Sequence, residues 1–162
     1  CVHVPDTHEA NCVMAAKILE VADAMVTALN DESFSQSFTA VRDYLYDLDL
    51  PTHSSLHVAV WPSSITTESH ARHGVQRDIS IFVRVAKKIT ATNAAARKSS
   101  IDPLMTLVEE ISDFIEPTDT TVELAPDCAS WVNTESGDID FSQLDELNQF
   151  SVINTYTFRT FK

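Results

Sequence analysis

Only two glycines, Gly74 and Gly137, occur in 162 residues, and this scarcity restricts the available chemistry. Phosphate-cradling loops need several glycines so that backbone N–H groups can approach the ligand, so the chain carries neither a P-loop nor a dinucleotide fingerprint. Nucleotide-dependent enzymes built on those loops are excluded. The histidines form two close pairs, His53/His57 and His70/His73, and the second pair is near enough in sequence to share a metal. No nearby cysteine or helical HExxH frame accompanies it, and the Ser/Thr-rich surroundings make these exposed loop histidines. Cys1, Cys12 and Cys128 are three in number and irregularly spaced. That pattern supports neither a disulfide framework nor a zinc ribbon, and reduced thiols are expected.

The paired acids Glu109-Glu110, Asp138/Asp140 and Asp145-Glu146 read as solvated faces. A nuclease centre would have to bring Asp78 to Lys87 or Lys88, yet about nine residues of strand hold them roughly 30 Å apart. Ser63-Ser64 and Ser99-Ser100 lack a His and an Asp in any nucleophile–base arrangement. With no assembled site, the expectation is a protein that is not an enzyme and uses no cofactor or metal.

Charge is more informative than any of these groups. The net charge is −13, from 24 acids and 11 bases, which argues against a sequence-reading nucleic-acid binder because such domains need basic surface. Residues 99–158 contain no Lys or Arg and 13 of the acids, whereas residues 72–98 hold seven of the bases. Segregation of this kind suits a head-to-tail contact in which the basic patch of one copy meets the acidic patch of the next. A solvated surface with no partner is the bland alternative.

The elements that must position these charges follow from periodicity. In RDISIFVRVAKKI, residues 77–89, Ile79, Ile81, Val83 and Val85 alternate with Ser80, Phe82, Arg84 and Ala86, which predicts the central strand of a sheet. LHVAVW, residues 56–61, alternates in the same way, and the β-branched and aromatic run SVINTYTFRTFK supplies a closing strand. Residues 9–30 carry Met14, Ile18, Val21, Ala22, Met25 and Leu29 at helical spacing, with Asp6 or Thr7 as the cap. Phe38, Val41, Tyr44 and Tyr46 mark a weaker strand over 38–48. The polar connector 62–76 is expected to run beyond the sheet as a hairpin arm. Residues 90–100 read as a loop, after which Asp102 caps a second helix with Pro103 at its first position and Pro117 at its end. Leu104, Leu107, Val108, Ile111, Phe114 and Ile115 form its apolar face. Residues 118–140 read as a surface excursion with one short strand at 122–124, and residues 142–148 as a short helical turn.

Residues 1–8 are expected to be a flexible arm and residues 9–162 a single α+β domain, a two-layer sandwich of two helices on a mainly antiparallel sheet of about four strands. No apolar run is long enough to cross a bilayer. The segment behind Cys1, VHVPDTHEA, lacks the basic and apolar regions of a signal peptide. A processed or mis-assigned start is expected, with a lipid-modified N-terminal cysteine as the alternative.

Several phrases then fall into a familiar order: ADAMVTALNDESFSQSFTAVRDYLYDLDL, LHVAVWPSS, QRDISIFVRVAKKI, IDPLMTLVEEISDFI and LDELNQFSVINTYTFRTFK. Over residues 22–162 the chain resembles the tail terminator, or tail-completion, proteins of long-tailed bacteriophages and prophages. The Arg77-Asp78 entry to the central strand, Phe150-Ser151-Val152 and Thr155-Tyr156-Thr157-Phe158-Arg159 carry most of the likeness, and residues 1–13 and 118–140 carry none. The resemblance implies a virion subunit that assembles in the host cytoplasm and forms a ring, a hexamer in the family, at the head-proximal end of the tail. Such a ring ends tube polymerisation and joins the tail tube protein to a neck or head-completion protein, while DNA passes through without sequence-specific binding. It implies no catalytic residue and no membrane. A head-completion or neck adaptor protein is the nearer alternative, and a non-viral small-molecule-binding regulatory α+β domain the more distant one. For ring contacts the charge pattern nominates Arg77, Arg84 and Lys88 on one side and Glu109, Glu110 and Asp113 on the other. By period 2, Arg84 and Lys88 lie opposite the core-facing isoleucines and are expected to be free for a partner, with Lys87 pointing the other way.

Overall fold

Alternation in the central strand organises the molecule. A computed structural model of the chain describes residues 17–44, 55–70, 74–91, 93–116 and 129–161. The elements are α1 (Lys17–Asp31), β1 (Ala40–Arg42), β2 (His57–His70), β3 (Gly74–Lys88), α2 (Ala94–Ile115), β4 (Ser130–Glu135), α3 (Phe141–Glu146) and β5 (Gln149–Phe161). The five strands form one sheet in the order β1-β2-β3-β5-β4, so β3 is the middle strand. β1 runs parallel to β2, and the other pairs are antiparallel.

Ile79, Ile81, Val83 and Val85 of β3 are all buried, and their cross-strand partners Phe158, Tyr156, Asn154 and Val152 on β5 extend the same face. Val58 and Val60 complete it from β2. Against this face lie Val21, Ala22, Met25 and Leu29 of α1 and Leu104, Leu107, Ile111 and Ile115 of α2. Both helix stripes and one sheet face therefore share one core, a two-layer α+β arrangement. Asn30 sets where α1 hands over to the sheet. Its side-chain amide donates to the Ala40 carbonyl at 3.0 Å and its carbonyl accepts from the Ala40 N–H at 2.7 Å, standing in for a strand neighbour of β1.

Several expectations change. The described part of the first helix begins at Lys17, and Met14 and the expected caps at Asp6 and Thr7 lie outside the described residues, as do residues 1–8. The second helix starts at Ala94, within the segment expected to be a loop. Asn93 caps it by accepting from the Ala96 N–H at 2.8 Å, and the run Ala94-Ala95-Ala96 has the highest helix propensity of any residue type. Asp102 is therefore not a cap, and Pro103 lies in the helix interior. Pro103 leaves the Ser99 carbonyl without a helical donor, but both residues are exposed, so water can serve it. The excursion holds a real strand, β4, paired with β5; the short strand expected at 122–124 lies outside the described residues. The connector after Trp61 forms the expected hairpin, although β5 accompanies most of it and only its tip passes beyond the other strands. β2 and β3 stay paired out to His70 and Gly74, and β5 flanks β3 as far as the Gln76–Phe161 pair.

Candidate assembly surface

The strand face of β3 that looks away from α1 and α2 carries Gln76, Asp78, Ser80, Phe82, Arg84 and Ala86. Arg84 is 1% exposed, so it is not free to meet a partner, contrary to the expectation from period 2. Its Nε donates to Ser151 Oγ at 2.9 Å and one terminal nitrogen donates to Gln143 Oε1 at 3.1 Å. Alternation correctly put Arg84 on this face, but α3 supplies a hydrogen-bond partner from above it. Asp140 caps α3 by accepting from the Gln143 N–H at 3.1 Å, and Ser142 Oγ donates to the same carboxylate at 2.6 Å. These bonds, helped by the Arg84 charge, hold the Asp140 carboxyl below its ordinary pKa.

Farther along the face, Arg159 of β5 grips Asp78 with two bonds of 2.8 and 2.9 Å. That pairing lowers the Asp78 pKa and settles the role of this acid as a cross-strand ion pair. Ser80 and Thr157 share a hydrogen bond at 3.3 Å, and Trp61 meets Phe82 edge to face with ring centres 5.6 Å apart. The result is a face with several hydroxyls on which Asp78 and Arg159 neutralise each other, while Arg84 is held by the neutral groups Ser151 and Gln143. In the core behind it, Tyr156 Oη shares a 2.9 Å hydrogen bond with Ser112 and accepts from Asn154 at 3.2 Å. Burial raises its pKa, so the hydroxyl stays protonated.

The bases sort into those already used and those left over. Lys17, Arg42, Arg97 and Arg159 are in ion pairs. Arg77, Lys87, Lys88 and Lys98 make no side-chain hydrogen bond or ion pair among the described residues. Three of these four gather where β3 ends and α2 begins. An open cleft of about 690 Å³ lies there, lined by Lys88, Ile89, Asn93, Ala94, Arg97 and Asn148. Its geometry is fixed by Arg97, which donates to Asn148 Oδ1 at 2.8 Å and pairs with Asp145 at 3.4 Å. The Ile89 N–H donates to the Asn148 carbonyl at 2.7 Å. Asn148 holds φ at 50°, a left-handed conformation that asparagine tolerates better than most residues.

Among the acids, Glu109 and Asp113 are exposed on α2 without a partner among the described residues, as is Asp102. Glu110 is half-buried and accepts from the Ser35 N–H at 3.0 Å, so it fastens the loop after α1 to α2. The charges on α2 run against its dipole: Arg97 and Lys98 sit near the N-terminus, Asp113 in the last turn and Glu116 at the C-cap. A helix selected only for its own stability would carry them the other way round. The sequence marks residues 72–98 as basic and nominates Lys88, but reading residues 90–100 as a loop hides the helical start that brings Lys98 beside it. The Asn93-Ala-Ala-Ala run was the available signal, since it is a cap followed by strong helix formers.

The nominated groups are thus divided. Lys88 belongs to the basic corner, Glu109 and Asp113 to the acidic stripe, Arg77 lies half-buried toward the opposite end of β3, and Arg84 and Glu110 have internal duties. His57 is half-buried at the start of β2, while His53 and His73 lie outside the described residues. No helix among the described residues is long and apolar enough to cross a membrane. No family model matches the chain, and no curated protein matches it.

Proposed function

We propose that this chain is a structural virion subunit that assembles into a ring at the head-proximal end of a phage tail, ends tube polymerisation there and joins the tail to the neck. The observation that carries this reading is the separation of unpartnered charge along α2, with Lys98, and Lys88 at the neighbouring end of β3, at one end and Glu109 and Asp113 at the other. Opposite patches on different parts of a subunit allow heterologous contacts, and heterologous contacts that close give rings, whereas the same patches paired antiparallel close a two-fold dimer. The α+β order of elements agrees with the tail-terminator resemblance. A sheet face with several hydroxyls and a closed Asp78–Arg159 ion pair, within a molecule of net charge −13, suits a conduit that lets DNA pass without holding it. On this reading the partners are further copies of the chain, the tail tube protein and a neck or head-completion protein.

A regulatory domain would need an enclosed, mostly apolar pocket. The space between α2 and the sheet bounded by Val83, Val85, Ile111, Asn154 and Tyr156 leaves no room even for water. Native mass spectrometry of the purified chain tests the proposal. A closed assembly of several copies, six by the resemblance, is the expected result, and an annular particle should appear by electron microscopy. A monomer or dimer at all concentrations would overturn it.

A further inference from the structure

Resting on the ring reading, we infer that the lateral contact between copies is made by α2: the Glu109/Asp113 stripe of one copy seats against the Lys88/Lys98 corner of the next. The occupant of the basic corner is thus a second copy of this chain.

Three observations lead to this assignment. Lys88 and Lys98 make no ion pair among the described residues, and neither do Glu109 and Asp113; Asp102, one turn from Lys98 on the same stripe, offsets part of the Lys98 charge, so that Lys88 and Lys98 together leave the corner net basic. The two patches cannot satisfy each other within one copy. At 1.5 Å rise per residue, Lys98 lies roughly 17 Å from Glu109 and roughly 22 Å from Asp113 along α2, well beyond the ~8 Å over which exposed charges interact at physiological ionic strength. Lys98, Asp102, Glu109 and Asp113 recur at intervals of four, seven and four residues, which keeps them on one solvent-facing stripe. An approaching helix therefore meets a continuous charged track that changes sign along its length. Arg97 does not compete for the partner's acids, because Asp145 and Asn148 already hold it and thereby fix the wall of the cleft.

The test uses two double variants of the full chain. Lys88→Glu/Lys98→Glu leaves a copy acidic at both patches, and Glu109→Lys/Asp113→Lys leaves a copy basic at both. Each alone should self-associate at least tenfold more weakly than the wild type in low salt, with unchanged circular dichroism. Mixed one to one, the acidic corner of the first meets the basic stripe of the second, and the basic corner of the second meets the acidic stripe of the first. The wild-type mass should return in an assembly that alternates the two. Wild-type association by either variant alone, or failure of the folded mixture to associate, would overturn this contact while leaving the ring itself standing. A wild-type chain that stays monomeric or dimeric would remove both. Because Lys88 is half-buried, Lys98→Glu alone serves as a second probe. It should weaken association in the same direction if Lys88→Glu perturbs folding, and no effect would overturn the contact.

Discussion

Arg84 shows how one residue can be placed correctly on a face and still be assigned the wrong task. Its position opposite Ile79, Ile81 and Val83 is fixed by the two-residue period of the strand, and the ladder confirms that placement. Sequence periodicity does not show what lies above a face. Ser151 and Gln143 take two of its donors, and the whole side chain is buried. The charge therefore acts within the subunit and not at its rim. Arg84→Glu should destabilise the isolated domain by about 3 kcal/mol or more, since it buries a carboxylate among acceptors and beside Asp140. Urea unfolding measures this. A variant with wild-type stability that failed only to assemble would return Arg84 to the interface. Lys88, four residues on and on the same strand, is only half-buried because the strand ends there.

At the scale of elements, the parts legible in the sequence were those with an uninterrupted period. β3, β5, the core of β2 and the apolar stripe of α2 repeat cleanly and were found. β4 was missed because a register shift between Trp131 and Asn133 breaks its alternation, and its pairing with β5 is a long-range fact that no local pattern contains. The start of α2 was missed because Asp102-Pro103 imitates a helix start so well. The Asn93 cap and three alanines outweigh the lost hydrogen bond at Pro103. Gly137 marks the joint between β4 and α3. Its N–H donates to Asn154 Oδ1 at 2.9 Å, and a Cβ there would collide with the backbone carbonyl of Ile153. φ at Gly137 is not positive, so the requirement is one of space. Gly137→Ala should cost about 2–3 kcal/mol, as overpacking against backbone that cannot turn aside. A melting temperature within a degree of wild type would show that the β4–α3 joint shifts freely.

For the molecule as a whole, the length of β3 separates two possible contacts. Its 15 residues span about 50 Å at 3.3 Å per residue, with the Lys87/Lys88 corner at one end and the tip of the β2–β3 hairpin at the other. β1 covers β2 only at Val58, Ala59 and Val60. Beyond them Ser63 to Ser69 are exposed, including the apolar Ile65, and this outer edge has no strand partner among the described residues. An open edge is a template for another chain. If α2, which crosses the sheet from the Lys88 corner to Tyr156 opposite Ile81, makes the lateral contact of a ring, the hairpin tip lies seven residues of strand beyond that crossing, roughly 23 Å, and is placed to meet a different partner. Deleting residues 69–75 and joining Glu68 to Gln76 through Asn-Gly, which favours a two-residue hairpin turn, retains the Glu68–Gln76 rung and the Asp78–Arg159 pair. The shortened chain should fold, with a melting temperature within a few degrees of wild type, and should keep the wild-type mass by native mass spectrometry. On the proposed ring reading it should lose attachment to the tail tube or neck partner in a reconstituted particle. A fall in mass to that of the single chain would instead make the hairpin part of the lateral contact, and α2 could then not be the element that closes the ring alone.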